Sequence, residues 1–167
     1  MNYLLYGQET PRLTFNRVDL KYADAWLNLF KEQGVARFVG LDHLPTPEDQ
    51  CNQWFERAFT RIDNGLGGLN ALVSKETGEL IGQSGLLVQV VDEQTHLEVG
   101  YSILPQYWRQ GYAIEAASKC RDCAFEMGLT DTLISIIHTE NHPSMAVAEA
   151  NGMKRWKTTR PGRVGAN

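Results

Sequence analysis

The spacing of apolar positions changes period along the chain, and each change marks an element. From Arg12 to Val18, Leu13, Phe15 and Arg17 alternate with Thr14 and Asn16, the period of a strand. Asp19 then stands where a helix N-cap belongs. The following "LKYADAWLNLF" predicts a helix with Leu20, Ala23, Leu27 and Phe30 on one stripe. A loop holding Pro45 and Pro47 leads to a second helix. Thr46 is its cap, Pro47 fits its first turn, and Cys51, Trp54, Phe55, Ala58, Phe59 and Ile62 form its apolar face. The run "NGLGG", Asn64 to Gly68, breaks it.

Three strand-like runs follow: Leu69–Ser74, Leu80–Val91 and His96–Leu104. The turn "KETGE" joins the first two as a hairpin, and Gly82 and Gly85 suggest a bulge or a close backbone approach. A helix is predicted from about Gly111 to Met127, with Gly128 as a left-handed cap. "TLISIIH" (Thr132 to His138) reads as a buried strand and "PSMAVAEANG" as a short helix. "MKRWKTT" reads as a last strand. This order predicts an α/β (α+β) domain: a mixed, mostly antiparallel sheet with helices on both faces. The 167 residues suit one domain, with a core over about 11–158 and tails at 1–10 and 159–167.

Composition narrows the functional classes. A net charge of −4 argues against a nucleic-acid binder that relies on a basic surface. The basic end, Lys154, Arg155, Lys157, Arg160 and Arg163, reads as a solvated tail or as a patch for an acidic partner or phosphates. Three cysteines are too few, and odd in number, for a disulfide framework, which makes a reducing, cytoplasmic setting the expectation. Cys120 and Cys123 lie in a helical pattern with no second ligand pair, so they read as small packing residues, and no metal is expected. No apolar run is long enough for a membrane span, and none is preceded by a signal-peptide pattern.

The candidate chemistry centres on "PQYWRQGYAIEA", Pro105 to Ala116. A strand ends and a helix begins within it, so the first-turn N–H groups lack internal partners and the positive end of the helix dipole points the same way. Gly111 and Ala113 let an anion approach those amides. Ala113, Ala116, Ala117, Cys120 and Ala124 form a small-residue stripe that allows close packing on the sheet. The stretch is either a phosphate cradle or a plain strand-to-helix turn. It matches neither a nucleotide P-loop nor a dinucleotide fingerprint.

Together, "LEVGYSILPQYWRQGYAIEAA" and "IIHTENHPSMAVAEANGM" resemble the GNAT superfamily of acetyl-CoA-dependent N-acetyltransferases, in particular its RimJ/RimL-like branch of ribosomal-protein alanine acetyltransferases. The family's pyrophosphate loop, [QR]-x-x-G-x-[GA], reads here Trp108-Arg109-Gln110-Gly111-Tyr112-Ala113, with Trp at the first position. The resemblance implies acetyl-CoA as co-substrate, held where two parallel strands (Leu97–Leu104 and Thr132–His138) splay apart. Ile103 and Leu104 would pair through main chain with the pantetheine arm, and the amides of Arg109 to Ile114 would hold the pyrophosphate. Asn141 would contact the pantetheine, unless it is a helix cap.

Amine attack on a thioester needs a neutral amine, a stabilised oxyanion and a proton for the thiolate. Glu98 shares a strand face with Gly100 and Ser102 and is the candidate base, against the reading of an ordinary strand-surface carboxylate. His138 is the alternative base. Many family members carry a tyrosine seven residues after the asparagine, where this chain has Ala148. Ser144 could hydrogen-bond the thiolate instead, or simply cap the backbone. Phe38 to Gln50 and Trp54 are expected to line the acceptor site. The acceptor would be a primary amine, on a peptide N-terminus or a small molecule. A short sheet edge at the C-terminus would favour a homodimer. The competing readings are a weakly catalytic acyl-CoA sensor and a Ser144–His138 hydrolase, the latter disfavoured because no G-x-S-x-G elbow is present.

Overall fold

In a computed structural model, which describes residues 1–160 and the backbone of 164–165, the chain builds a sheet of order β1-β2-β3-β4. These strands are β1 (Leu13–Asn16), β2 (Gly67–Ser74), β3 (Leu80–Val91) and β4 (Gln94–Ile103), all antiparallel to their neighbours. A two-residue β5 (Val164–Gly165) pairs with the end of β3. Asp19 caps a 3-10 turn over Leu20–Tyr22, which leads into α1 (Ala23–Lys31). Then come a short α2 (Val35–Phe38) and α3 (Pro47–Asp63), whose N-cap Thr46 accepts from the Asp49 amide as its sequence predicts. After β4 the chain enters α4 (Tyr112–Glu126) and α5 (His142–Ala150).

The sheet divides two cores. On one face Leu13, Phe15, Leu72, Leu86, Val99 and Ile103 pack against Ala116, Ala117, Cys120 and Ala124 of α4. The small-residue stripe does bring α4 down onto the sheet, with all four of those helix residues fully buried. On the other face Trp26, Phe30, Cys51, Phe55 and Ala58 of α1 and α3 pack over Ala71, Leu80 and Leu104. Gly85 is required by the sheet itself: a Cβ there would fall 2.1 Å from the Gly68 carbonyl oxygen.

Four expectations need correction. The buried stripe of α1 is Trp26, Leu29 and Phe30, while Leu20 is exposed, because the helix starts only at Ala23 and its phase shifts. Residues 132–138 are not a buried strand. They are an extended segment joined to β4 by a single parallel bridge between Glu98 and Ile134, with Ile136 exposed. Residues 153–159 form no strand, because Lys154, Arg155, Trp156 and Lys157 are all exposed and leave no apolar face to bury. Anchors replace a ladder there: Trp156 meets the edge of His96, and Lys157 pairs with Asp92 at 2.9 Å. Finally, the N-terminal residues are not a loose tail. Leu5 is fully buried, and its amide donates to the buried Asn70 side chain. The expected tail at 159–167 falls mostly outside the described residues.

Candidate active site

Alternation along β4 decides which peptide groups are free. The Leu97 carbonyl and the Val99 amide both bond to Ile134, so the odd-numbered residues turn their main chain away from β3. Beyond Ile134 this pairing stops, and side chains take over. The Glu98 carboxylate accepts from the Ile136 amide at 2.7 Å, and the Ser135 hydroxyl donates to the Val99 carbonyl at 2.7 Å. The two segments therefore part, and a gap opens along Tyr101 and Ile103.

At the far end of that gap lies the loop. Pro105–Tyr107 makes a 3-10 turn, Arg109 adopts a left-handed φ of 60°, and Gly111 caps α4 with a φ of 80°. Both left-handed residues turn the backbone so that amides face outward together. From Arg109 through Ile114, no main-chain N–H donates to an acceptor among the described residues; the first helical bond is Glu115 to the Gly111 carbonyl. Six consecutive donors at a helix N-terminus can hold a polyanion such as a pyrophosphate. A Cβ on Gly111 would meet only the Arg12 guanidinium, at 3.4 Å, so the approach to the amides is open.

Arg12 is a residue the sequence did not single out. Its guanidinium pairs with Glu115 at 2.7 Å and lies 4.0 Å from the Tyr112 ring centroid, which sets a cation beside the amide cluster. Burial would raise the Glu115 pKa, but hydrogen bonds from Thr10 and Arg12 and the Arg12 charge outweigh it and hold the carboxyl below its usual range. Only the folded sheet brings residue 12 to residue 115, so no local signal could have shown this.

Trp108 and Leu104 both make hydrogen bonds within the protein. The Trp108 indole donates to the Ile103 carbonyl at 2.7 Å, and its amide bonds to Pro105. Tryptophan thus locks the loop to the end of β4. The Leu104 amide donates to the Ile81 carbonyl, and the Leu104 carbonyl accepts from the Tyr107 amide. Tyr101, which the sequence reading passed over, shares with Ile103 the side of β4 that turns away from β3.

Glu98 is 8% exposed, and its two oxygens accept from Gln89 and Ile136. Burial raises its pKa; the hydrogen bonds from Ile136 and Gln89 and the Arg61 charge offset part of that rise. His138 stacks near Phe38, with ring centroids 5.2 Å apart, and its Nδ1 accepts from the Glu140 amide. Asn141 is the N-cap of α5, accepting from the Ser144 amide; its side-chain NH₂ has no acceptor among the described residues. The Ser144 hydroxyl is half-buried and has no hydrogen-bond partner among the described residues, and the Ser144 carbonyl accepts from the Tyr101 phenol at 2.6 Å. Ala148, one turn on, is buried. Burial pushes the Cys120 thiol up to about 12 and Cys51 to about 11, so neither supplies a thiolate near neutral pH.

On the opposite side of the gap, Arg37 pairs with Glu140 and ties α2 to the turn before α5. Of the stretch from Phe38 to Gln50, Leu41 and Gln50 are buried in the core, so only part of it is available to an acceptor. Trp54 borders a cleft of about 470 Å³ on the Glu98 face, and its indole donates to Gln83.

Known proteins are similar to this chain in sequence and fold. Residues 12–154 match the acetyltransferase (GNAT) domain. The protein YkkB of Bacillus subtilis is 40% identical over 86 residues, which cover 52% of this chain and half of YkkB's length. The uncharacterized N-acetyltransferase YoaA of Bacillus subtilis is 26% identical over 137 residues, covering 81% of this chain and 76% of its own. Among solved structures, an acetyltransferase from Agrobacterium tumefaciens superposes with a TM-score of 0.72 at 27% identity, over 91% of this chain and 85% of its own. The chain belongs to the GNAT acetyltransferase family.

Proposed function

We propose that the protein is an N-acetyltransferase that moves an acetyl group from acetyl-CoA to a primary amine by direct attack in a ternary complex. The observation that carries this reading is the gap at Tyr101 and Ile103 leading to six amides, Arg109 through Ile114, unpaired among the described residues. Those amides, with Arg12 beside them, would hold the pyrophosphate, and the Asn141 side-chain NH₂ would meet the pantetheine arm. The Tyr101 amide faces the gap where a thioester carbonyl would lie, and is the natural donor to the oxyanion.

Glu98 acts as the base in this account. Its buried carboxyl has a raised pKa, which suits proton abstraction from an ammonium near neutral pH. The Ser144 hydroxyl, without a partner among the described residues and set on the first turn of α5, donates to the departing thiolate. Cys120 and Cys51 take no part, so no acyl-enzyme forms. The acceptor is the amine of a peptide N-terminus, as the RimJ/RimL-like resemblance implies, or of a small molecule. A cytoplasmic setting and a homodimer built on the open sheet edge complete the reading; among the described residues no helix is long and apolar enough to cross a membrane.

The test is thiol release from acetyl-CoA with a panel of peptides, polyamines and aminoglycosides, with products identified by mass spectrometry. A mono-acetylated product is expected. Tight acetyl-CoA binding with no product from any amine would contradict catalysis and leave a sensor of the cofactor.

A further inference from the structure

The cleft on the Glu98 face carries two cations, Arg57 and Arg61, that make no direct ion pair among the described residues; the Glu98 charge lies near Arg61. Trp54, Arg57 and Arg61 of α3 and Leu69, Leu87 and Gln89 of the sheet line it. Arg57 and Arg61 are four residues apart on one helix, which puts two like charges on one face, an arrangement that disfavours the helix. Arg12, Arg37 and Arg121 each pair with a carboxylate; among the described residues Arg57 and Arg61 do not. Glu56 also lines the cleft but pairs with neither. Arg61 is half-buried, with a guanidinium that donates to the Val88 carbonyl and the Gln89 side chain and keeps further N–H groups unused. Arg57 makes only a long contact with the Gly40 carbonyl, at 3.4 Å.

The cleft also adjoins the proposed chemistry. Leu87 is the cross-strand partner of Glu98, and Gln89 donates to its carboxylate. We propose that this cleft is the acceptor subsite and that Arg57 and Arg61 select an acceptor bearing an anionic group, a carboxylate or a phosphate, near its reactive amine. This rests on the N-acetyltransferase reading above. A charged pair held at a cleft against its own repulsion gains most from an anion that neutralises both members. Guanidinium forks suit either oxyanion geometry, so the experiment separates the two.

Acetylation rates would be measured for an alanine-led tetrapeptide carrying two glutamates, its two-glutamine twin and its two-lysine twin. Phosphoethanolamine and ethanolamine form the second arm. Binding of each compound to the coenzyme A-loaded protein would be followed by calorimetry. The acidic peptide, the phosphorylated amine or both should exceed their neutral counterparts by about tenfold in kcat/KM, expressed in KM. Arg57→Glu should invert the preference toward the lysine peptide, with coenzyme A affinity unchanged and melting temperature not lowered. Preference in the peptide arm alone assigns carboxylate, and in the phosphoethanolamine arm alone assigns phosphate. Equal rates for charged and neutral acceptors, with no response to Arg57→Glu, would overturn the proposal while leaving the acetyltransferase reading intact. If no amine turns over, calorimetry still decides: binding without charge preference overturns the subsite, and preference for the anionic compounds upholds it although catalysis has failed.

Discussion

Glu98 shows how one side chain serves both the backbone and the proposed chemistry. Its carboxylate occupies the point where β4 and residues 132–138 part, accepting the Ile136 amide in place of a ladder bond. Glu98→Gln should lower kcat by about 10²- to 10⁴-fold with coenzyme A affinity unchanged, in line with the loss of a general base. Because burial raises the Glu98 pKa, the active carboxylate is lost on acidification at a pH above the ordinary glutamate value of about 4.3. The acid limb of kcat/KM should therefore lie above that value, and the variant should lack the limb. The same raised pKa means that the folded state holds this proton more tightly than the unfolded chain. Its stabilising share is present below the unfolded pKa and fades as pH rises through the folded one. At the loop, Gly111→Val should weaken coenzyme A binding at least tenfold while the fold persists, since its φ of 80° disfavours a branched residue and a side chain there would crowd the Arg12 guanidinium, 3.4 Å from the Cβ position. Unchanged affinity by calorimetry would remove that residue from the site.

At the scale of elements, the loop is held from both sides, by the Trp108 indole on the Ile103 carbonyl and by the Arg12–Glu115 pair on the first turns of α4. Trp108→Phe keeps the ring but removes the donor. Coenzyme A affinity should fall severalfold, with melting temperature changed little, as for loss of one net hydrogen bond of about 1 kcal/mol. Sequence made most of these elements legible where a local rule governs them. The Thr46 cap with Pro47, the αL glycine after α4 and the alternation of β1 all sit where their residue types predict. It failed where tertiary partners decide. Residues 132–138 have strand composition, but only Ile134 finds a ladder partner, because the Glu98 side chain takes the next amide. Residues 153–159 have a strand-like pattern but no neighbour to cover it.

For the whole molecule, the site is a seam between two cores, and the chain's N-terminal segment helps hold that seam. Leu5 lies in the same core as Leu13, Val99, Ile103 and the α4 stripe, and Asn70 satisfies its amide. Leu5→Ala should cost about 2–5 kcal/mol, read as a lowered denaturant midpoint with an unchanged slope. The proposed donor side was legible in the sequence because it is a contiguous run, Trp108 to Ile114. The acceptor side was not, because Arg57 and Arg61, Leu87 and Glu98 come together only across α3, β3 and β4. Arg12 was hidden for the same reason.

The central claim is that main-chain amides, rather than side chains, grip the pyrophosphate. Amide-resolved ¹⁵N–¹H NMR during titration with coenzyme A, and separately with phosphate-free pantetheine, tests it most directly. The account predicts that the Arg109 to Ile114 amides shift strongly with coenzyme A and stay near their free positions with pantetheine, while Tyr101 and Ile103 respond to both. Equal responses of the Arg109 to Ile114 amides to the two ligands, or no response to coenzyme A, would contradict it.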